Sequence, residues 1–194
     1  MGAFFSSLGR TITAGVVLLI VIVLAVGALT EGGMRGGDLF IVRWLHVMAG
    51  VMWIGLLWYF NFVQTPSMPK IPDEHKPAIS KVIAPAALYW FRHAALWTVI
   101  FGLALASMNG YIWQAHSFER GVHTIGIGMW LGLIMAFNVW FIIWPNQKKA
   151  LGMVTVDADA KAKAARMAGM TSRLNTLLSI PMLYCMVAQQ NGGI

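Results

Sequence analysis

Between Arg43 and Pro66 the chain reads RWLHVMAGVMWIGLLWYFNFVQTP, an apolar run of membrane length that contains one histidine. Roughly 20 apolar residues cover the ~30 Å of a bilayer's hydrocarbon, where every backbone N–H and C=O must find its partner within the segment. Such a run folds as a membrane helix, and an imidazole inside it is a functional-site candidate. Gly50 and Trp53 follow His46 at i+4 and i+7, so the three share a helix face. Gly50 permits close approach by a neighbouring helix or by a flat cofactor. His46 therefore has two readings, a ligand or a hydrogen bond between packed helices.

The rest of the chain follows the same rule. Of its 194 residues, 58% are hydrophobic and 11% charged, against roughly 25% charged in a soluble domain. The expected fold is all-α: an integral membrane bundle of about five transmembrane helices forming a single membrane domain over 1–194. The helices are expected at about 11–29, 39–62, 83–108, 122–144 and 174–189. The first run is too long for a signal peptide, has Arg10 as its only early basic residue, and reads as a retained, largely lipid-facing helix. The start MGAFFS matches a loose myristoylation pattern that chance explains better. Pro181 is expected to kink the last helix.

Charge gives the orientation. Arg10, Lys70, Lys76, Lys81, Lys148, Lys149, Lys161, Lys163, Arg166 and Arg173 lie on one side, and Arg35, Arg43 and Arg120 on the other. The excess places the N-terminus inside and the C-terminus outside. The net charge of +7 is thus a topology signal rather than a nucleic-acid footprint. The lone Cys185 excludes an internal disulfide framework, a cysteine zinc cluster and a CxxCH haem-attachment site in this sequence. Of the two inner loops, TPSMPKIPDEHKP has four prolines and is expected to be extended. The other carries an alanine-rich surface helix at about 156–168, with Thr155 as its cap and Asp157–Lys161 and Asp159–Lys163 as helix-surface pairs.

Candidate chemistry rests on few residues. His93 in the third helix converges with His46 toward the outer and middle bundle, and both are candidate axial ligands of one haem iron. His123, opening the fourth helix, is a rival partner. His116 and His75 read as interfacial or solvated. Arg92, buried in the third helix, needs an anion such as a haem propionate, or a route to the interface. No acidic residue lies inside the apolar runs, which argues against a carboxylate proton relay. Asn61 and Asn138 read as contacts between helices or to a substrate, the first being the commoner role of buried amides. Trp44, Trp113 and Trp144 fit an interfacial belt. Trp53, Trp90, Trp97 and Trp130 are placed deeper, where they line a flat ligand or fill the bundle.

Four segments, RWLHVMAGVMWIGLLWYFNFVQTP, YWFRHAALWTVIFGLAL, MWLGLIMAFNVWFIIWPNQKK and RLNTLLSIPMLY, together resemble the urate oxidase N-terminal membrane domain, from about Leu39 to Leu183. FNVWFIIWPNQ and HxxxGxxWIG are the most specific parts. The second also resembles membrane b-type haem proteins such as bacterial protoporphyrinogen oxidase. The resemblance implies a multi-helix membrane domain linked to oxidation of urate to 5-hydroxyisourate, with electrons leaving through cytochrome c. This sequence is shorter than the family's membrane domain and has no CxxCH. One expectation is a membrane redox protein that binds haem b through His46 with His93 or His123, beside Arg92, Gly50 and Trp53, and passes electrons to a separate outer-face cytochrome c. The other is an accessory subunit of a larger membrane complex, without chemistry of its own.

Overall fold

The computed structural model describes residues 7–29 and 37–192, with side chains from 7–25 and 37–192. The MGAFFS start and Arg35 lie outside the described residues. The chain divides into two units, residues 1–40 and 41–194. All described structure is helical or turn, with no strand among the described residues.

In the first unit α1 spans Leu8–Leu29, a run of Val, Leu and Ile. None of its residues from Leu8 to Ala25 is buried, as expected for a helix whose whole surface meets lipid.

The second unit is built from long helices. The helix α2 spans Gly37–Trp58 and widens into a π-helical stretch, Tyr59–Gln64. The helix α3, Ala84–Met108, is preceded by a π-helical stretch at Ile79–Ile83. A short α4, Ile112–His116, leads to α5, His123–Phe137. A third π-helical stretch, Asn138–Ile143, joins α5 to α6, Trp144–Ala150. The final helix α7 runs unbroken from Ala158 to Asn191. Four stretches are long and apolar enough to cross a membrane: Leu8–Ala25, Gly37–Lys70, Lys76–Met108 and His123–Ala150. The helix α7 is not among them, because its first half is alanine-rich and charged.

Three local expectations are corrected. The proline-rich loop is mostly helical. Pro66 and Pro69 lie in the helical run that continues from Gly37 to Lys70, while Pro77 sits in the first turn of a new helical piece, where the missing N–H leaves no bond unmade. The surface helix and the last membrane helix are one element, because nothing between Ala158 and Asn191 stops it before Gly192, which ends it at φ +69°. Pro181 lies inside that helix. Its cap is Asp157 rather than Thr155, with the carboxylate accepting from Ala160 N–H at 2.7 Å. The Asp157–Lys161 and Asp159–Lys163 pairs are not among the closed ion pairs of the described residues.

The core lies between α2, α3, α5 and α7, around Trp53, Leu57, Phe91, Met135, Val139 and Ile143. A smaller cluster, Ala106, Ala115, Ile125 and Met129, closes one end beneath α4. There Gly126 meets the backbone of Ala115 so closely that a Cβ would collide with its carbonyl oxygen. Nearer the other end is a polar layer. Asn138 donates to Asn175 at 2.8 Å, and Asn175 donates to the Met135 carbonyl at 2.9 Å. Trp58 donates to Ser179 at 3.0 Å, and Asn61 to Ser172 at 2.8 Å. Asn175 and Ser179 are fully buried. Asn61 and Asn138 thus join helices, in keeping with the sequence reading.

Candidate functional site

His46 faces α3. Its Nδ1 lies 2.9 Å from the carbonyl oxygen of Thr98. A carbonyl can only accept, so Nδ1 carries a proton, and in the neutral ring Nε2 is then the bare nitrogen. The approach depends on Gly102, one turn beyond Thr98. A Cβ there would stand 2.9 Å from His46 Cε1, closer than real Cβ contacts. Gly50, the small residue singled out on α2, meets the Thr98 methyl at 3.9 Å from its own Cβ position. A neighbouring helix, then, makes the close approach at Gly50.

His46 and Trp53 both line a cavity at the end of the bundle where α3 ends and α5 begins, as their shared helix face implies. Tyr111, Met129, Met182 and Met186 complete much of its wall. About 80 Å³ is open to a water-sized sphere. At roughly 10–15 Å³ per water by that measure, it holds about five to eight waters, the bulk of a one- or two-ring heterocycle. Trp53 is 1% exposed, and its indole N–H has no hydrogen-bond partner among the described residues. The same is true of Arg43 Nε, whose Nη1 donates to Gln190 at 3.2 Å. Burial raises the Tyr111 phenol above its usual range, with the positive charge of Arg43 pulling the other way. The cavity wall is thus mostly apolar, with the His46 imidazole and the Tyr111 phenol among its polar side chains.

The other candidates lie elsewhere. His93 lines a separate, open groove between α2 and α3, of about 440 Å³, with Met48, Met52, Trp90 and Trp97. Its Nδ1 bonds the Tyr89 carbonyl at 2.7 Å, and its ring lies 4.2 Å from that of Tyr89. His123 is exposed at the first residue of α5 and lines neither space. His116 is partly buried, bonds the Ile112 carbonyl and packs edge-on against Trp130. His75 is exposed beside Glu74. Trp90, Trp97 and Trp130 stand on exposed faces, so of the four tryptophans placed deep by sequence only Trp53 is core.

Arg92 has left the bundle interior. Its guanidinium carbon stacks 3.9 Å above the Trp144 ring centroid and 5.2 Å from that of Tyr89. It also makes one long bond, 3.4 Å, to the Leu88 carbonyl.

These positions do not fit a haem bridging His46 and His93. The two rings line different spaces, and the His46 cavity is far below the roughly 300–1,000 Å³ of pockets for larger ligands. No group of three or more His, Cys, Asp or Glu gathers as a metal site among the described residues. Sequence reasoning missed Thr98, Gly102 and Tyr111. The signal for the first two was a small residue one turn after a hydroxyl residue on the facing helix.

No curated protein and no solved structure matches the chain. A family model, urate oxidase N-terminal, matches residues 113–192. The matched stretch holds FNVWFIIWPNQ and supplies the Met129, Met182 and Met186 wall, while HxxxGxxWIG with His46 lies before it. Residues 113–192, 80 of the 194 in the chain, are thus similar to the urate oxidase N-terminal family, the family that the longer sequence resembles.

Proposed function

We propose that the chain is a redox protein of a bacterial inner membrane, of the urate oxidase N-terminal type, with the His46 cavity as its reactive pocket. It crosses the bilayer five times, the second half of α7 being the fifth span, with the N-terminus inside and the C-terminus outside. The cavity then opens toward the outer face. It takes a small flat ring donor, either a urate-like heterocycle or a quinol headgroup. Oxidation removes two electrons and two protons from the ring. His46 Nε2 accepts one proton, the second passes to water at the outer face, and the electrons go singly to two molecules of an outer-face cytochrome c.

The observation that carries this reading is His46 itself. Its Nδ1 is held by Thr98, and its ring lines the same cavity as Trp53, a buried side chain whose indole N–H has no hydrogen-bond partner among the described residues. A proton acceptor and a donor on one small apolar cavity suit a ring that has both N–H or O–H and C=O edges. Haem between His46 and His93 is no part of the reading.

The test uses the full chain in nanodiscs, with urate or a short-chain quinol as donor and added cytochrome c as acceptor. Donor-dependent cytochrome reduction is expected, and His46→Gln should lower it at least about 100-fold, the scale of general-base loss. A wild-type protein that neither binds nor oxidises either donor overturns the reading. A Soret band that disappears in both His46→Ala and His93→Ala would restore the haem expectation. The second reading, an accessory subunit, is favoured by the open groove between α2 and α3, whose wall includes the exposed Trp90 and Trp97. Stoichiometric recovery with a larger complex and no turnover alone would support it.

A further inference from the structure

We propose that Arg92, Trp144 and Lys148 form a binding site for the phosphate of an anionic phospholipid headgroup at the inner end of the bundle. The site is separate from the His46 cavity and shares no residue with it.

Three observations build it. First, Arg92 is a cation without a carboxylate. No ion pair joins it to any described residue, and its hydrogen bonding is limited to the long contact with Leu88. Second, its guanidinium lies over the face of Trp144 at 3.9 Å. Apart from the long Nη1 bond to Leu88, the planar N–H fork of the guanidinium has no hydrogen-bond partner among the described residues. That fork matches the paired oxygens of a phosphate. Third, Lys148 stands over the same ring at 5.6 Å. Two cations on one indole repel each other, and an anion between or beside them relieves that repulsion.

The position selects the source of the anion. Trp144 opens α6 at the far end of the fourth apolar stretch, His123–Ala150. Tryptophan at a span end marks the headgroup level. Lys148 and Lys149 follow just over a turn later, on the side where most lysine and arginine residues of the chain lie. Basic pockets between helices on that side take anionic headgroups. Backbone contacts hold Arg92 in place: the Trp140 indole donates to the Arg92 carbonyl at 3.1 Å, tying α3 to the stretch before α6. A phosphate diester of phosphatidylglycerol type fits two cations with no acidic neighbour. Phosphatidylcholine brings its own cation and fits less well.

Native mass spectrometry of the full chain in detergent tests the site, with added phosphatidylglycerol, phosphatidylcholine or inorganic phosphate, alongside the Tm in each. The wild type is expected to retain phosphatidylglycerol at least tenfold over phosphatidylcholine, and to gain Tm from phosphatidylglycerol alone. Arg92→Gln should abolish the preference. Arg92→Lys, which keeps the charge and loses the fork, and Lys148→Gln should each weaken it several-fold with unchanged helicity. Lys161→Gln, on α7, should behave as wild type. Should Arg92→Gln fail to fold, Arg92→Lys and Lys148→Gln decide the matter. The proposal is overturned if those two retain phosphatidylglycerol as the wild type does. It is equally overturned if inorganic phosphate protects as well as the lipid, which would make the ligand a soluble anion.

Discussion

At one end of the bundle, polar groups meet apolar walls; toward the other, polar groups meet each other. The His46 cavity is lined by an imidazole amid methionine and alanine, and by Trp53, whose buried indole N–H has no partner among the described residues. The layer of Asn61, Asn138, Asn175, Ser172, Ser179 and Trp58 closes its bonds internally. Both regions are built from the same kinds of helix, so composition does not distinguish them. The difference is in pairing. A buried polar group whose bonds are made holds helices in register. One whose bonds are not made costs free energy unless something else completes it. The first arrangement is expected to govern stability and the second binding.

That contrast can be broken by mutation, and the largest effect is expected where the cavity end is closed. Gly126→Val drives a side chain into the backbone of Ala115, and no rotamer change relieves it. The cost should reach or exceed the upper end of the ~1–3 kcal/mol usual for overpacking. Thermal unfolding in detergent should show it, and a variant as stable as wild type would mean that α4 does not close this end. Next comes Asn175→Leu, which removes the partner of Asn138 and the donor to Met135. A loss of about 1–2 kcal/mol is expected, and adding Asn138→Leu should recover part of it. Ring binding at His46 should change less than twofold in either. If binding falls with stability, the two regions are not separable.

Gly102→Ala should do the opposite. The new methyl displaces His46 from Thr98, so donor affinity should fall at least tenfold while stability falls by only about 1 kcal/mol. Isothermal titration beside thermal unfolding separates the two. The smallest effect belongs to Tyr111. Its folded-state pKa is raised by burial, so the folded protein keeps the phenolic proton longer than the unfolded chain. The stability from this proton is complete below the ordinary tyrosine range and is lost as pH rises through the raised value. Tyr111→Phe should leave neutral-pH stability within about 0.5 kcal/mol and reduce the alkaline loss. Absorbance at the phenolate band, followed with unfolding, checks it.

Much of this was legible in the sequence. Apolar length set the helices, because hydrocarbon leaves the backbone no other choice. The i+4 and i+7 spacing placed Trp53 on the same face as His46. Less legible was anything decided across helices. His46 and His93 converge in depth by counting, yet they line different spaces, because rotation about each helix axis is fixed by packing. Gly102 matters only through the ring it meets on α2. The proline loop misled because a proline count does not say where the helix stops: the run from Gly37 carries on through Pro66 and Pro69, and only Pro77 opens a new helical piece. Arg92 followed the interface reading, since its stem is long enough to bring the charge to Trp144.

The unbroken α7 has a structural consequence. Its 34 residues make a rod of about 50 Å, and Asn175, bonded to Asn138 and Met135, lies near its midpoint. Ala164 and Ala168 on the charged half and Met182 on the apolar half are buried as well. One continuous element therefore carries both the charged surface with Lys161 and Arg166 and the Met182 and Met186 part of the His46 cavity wall.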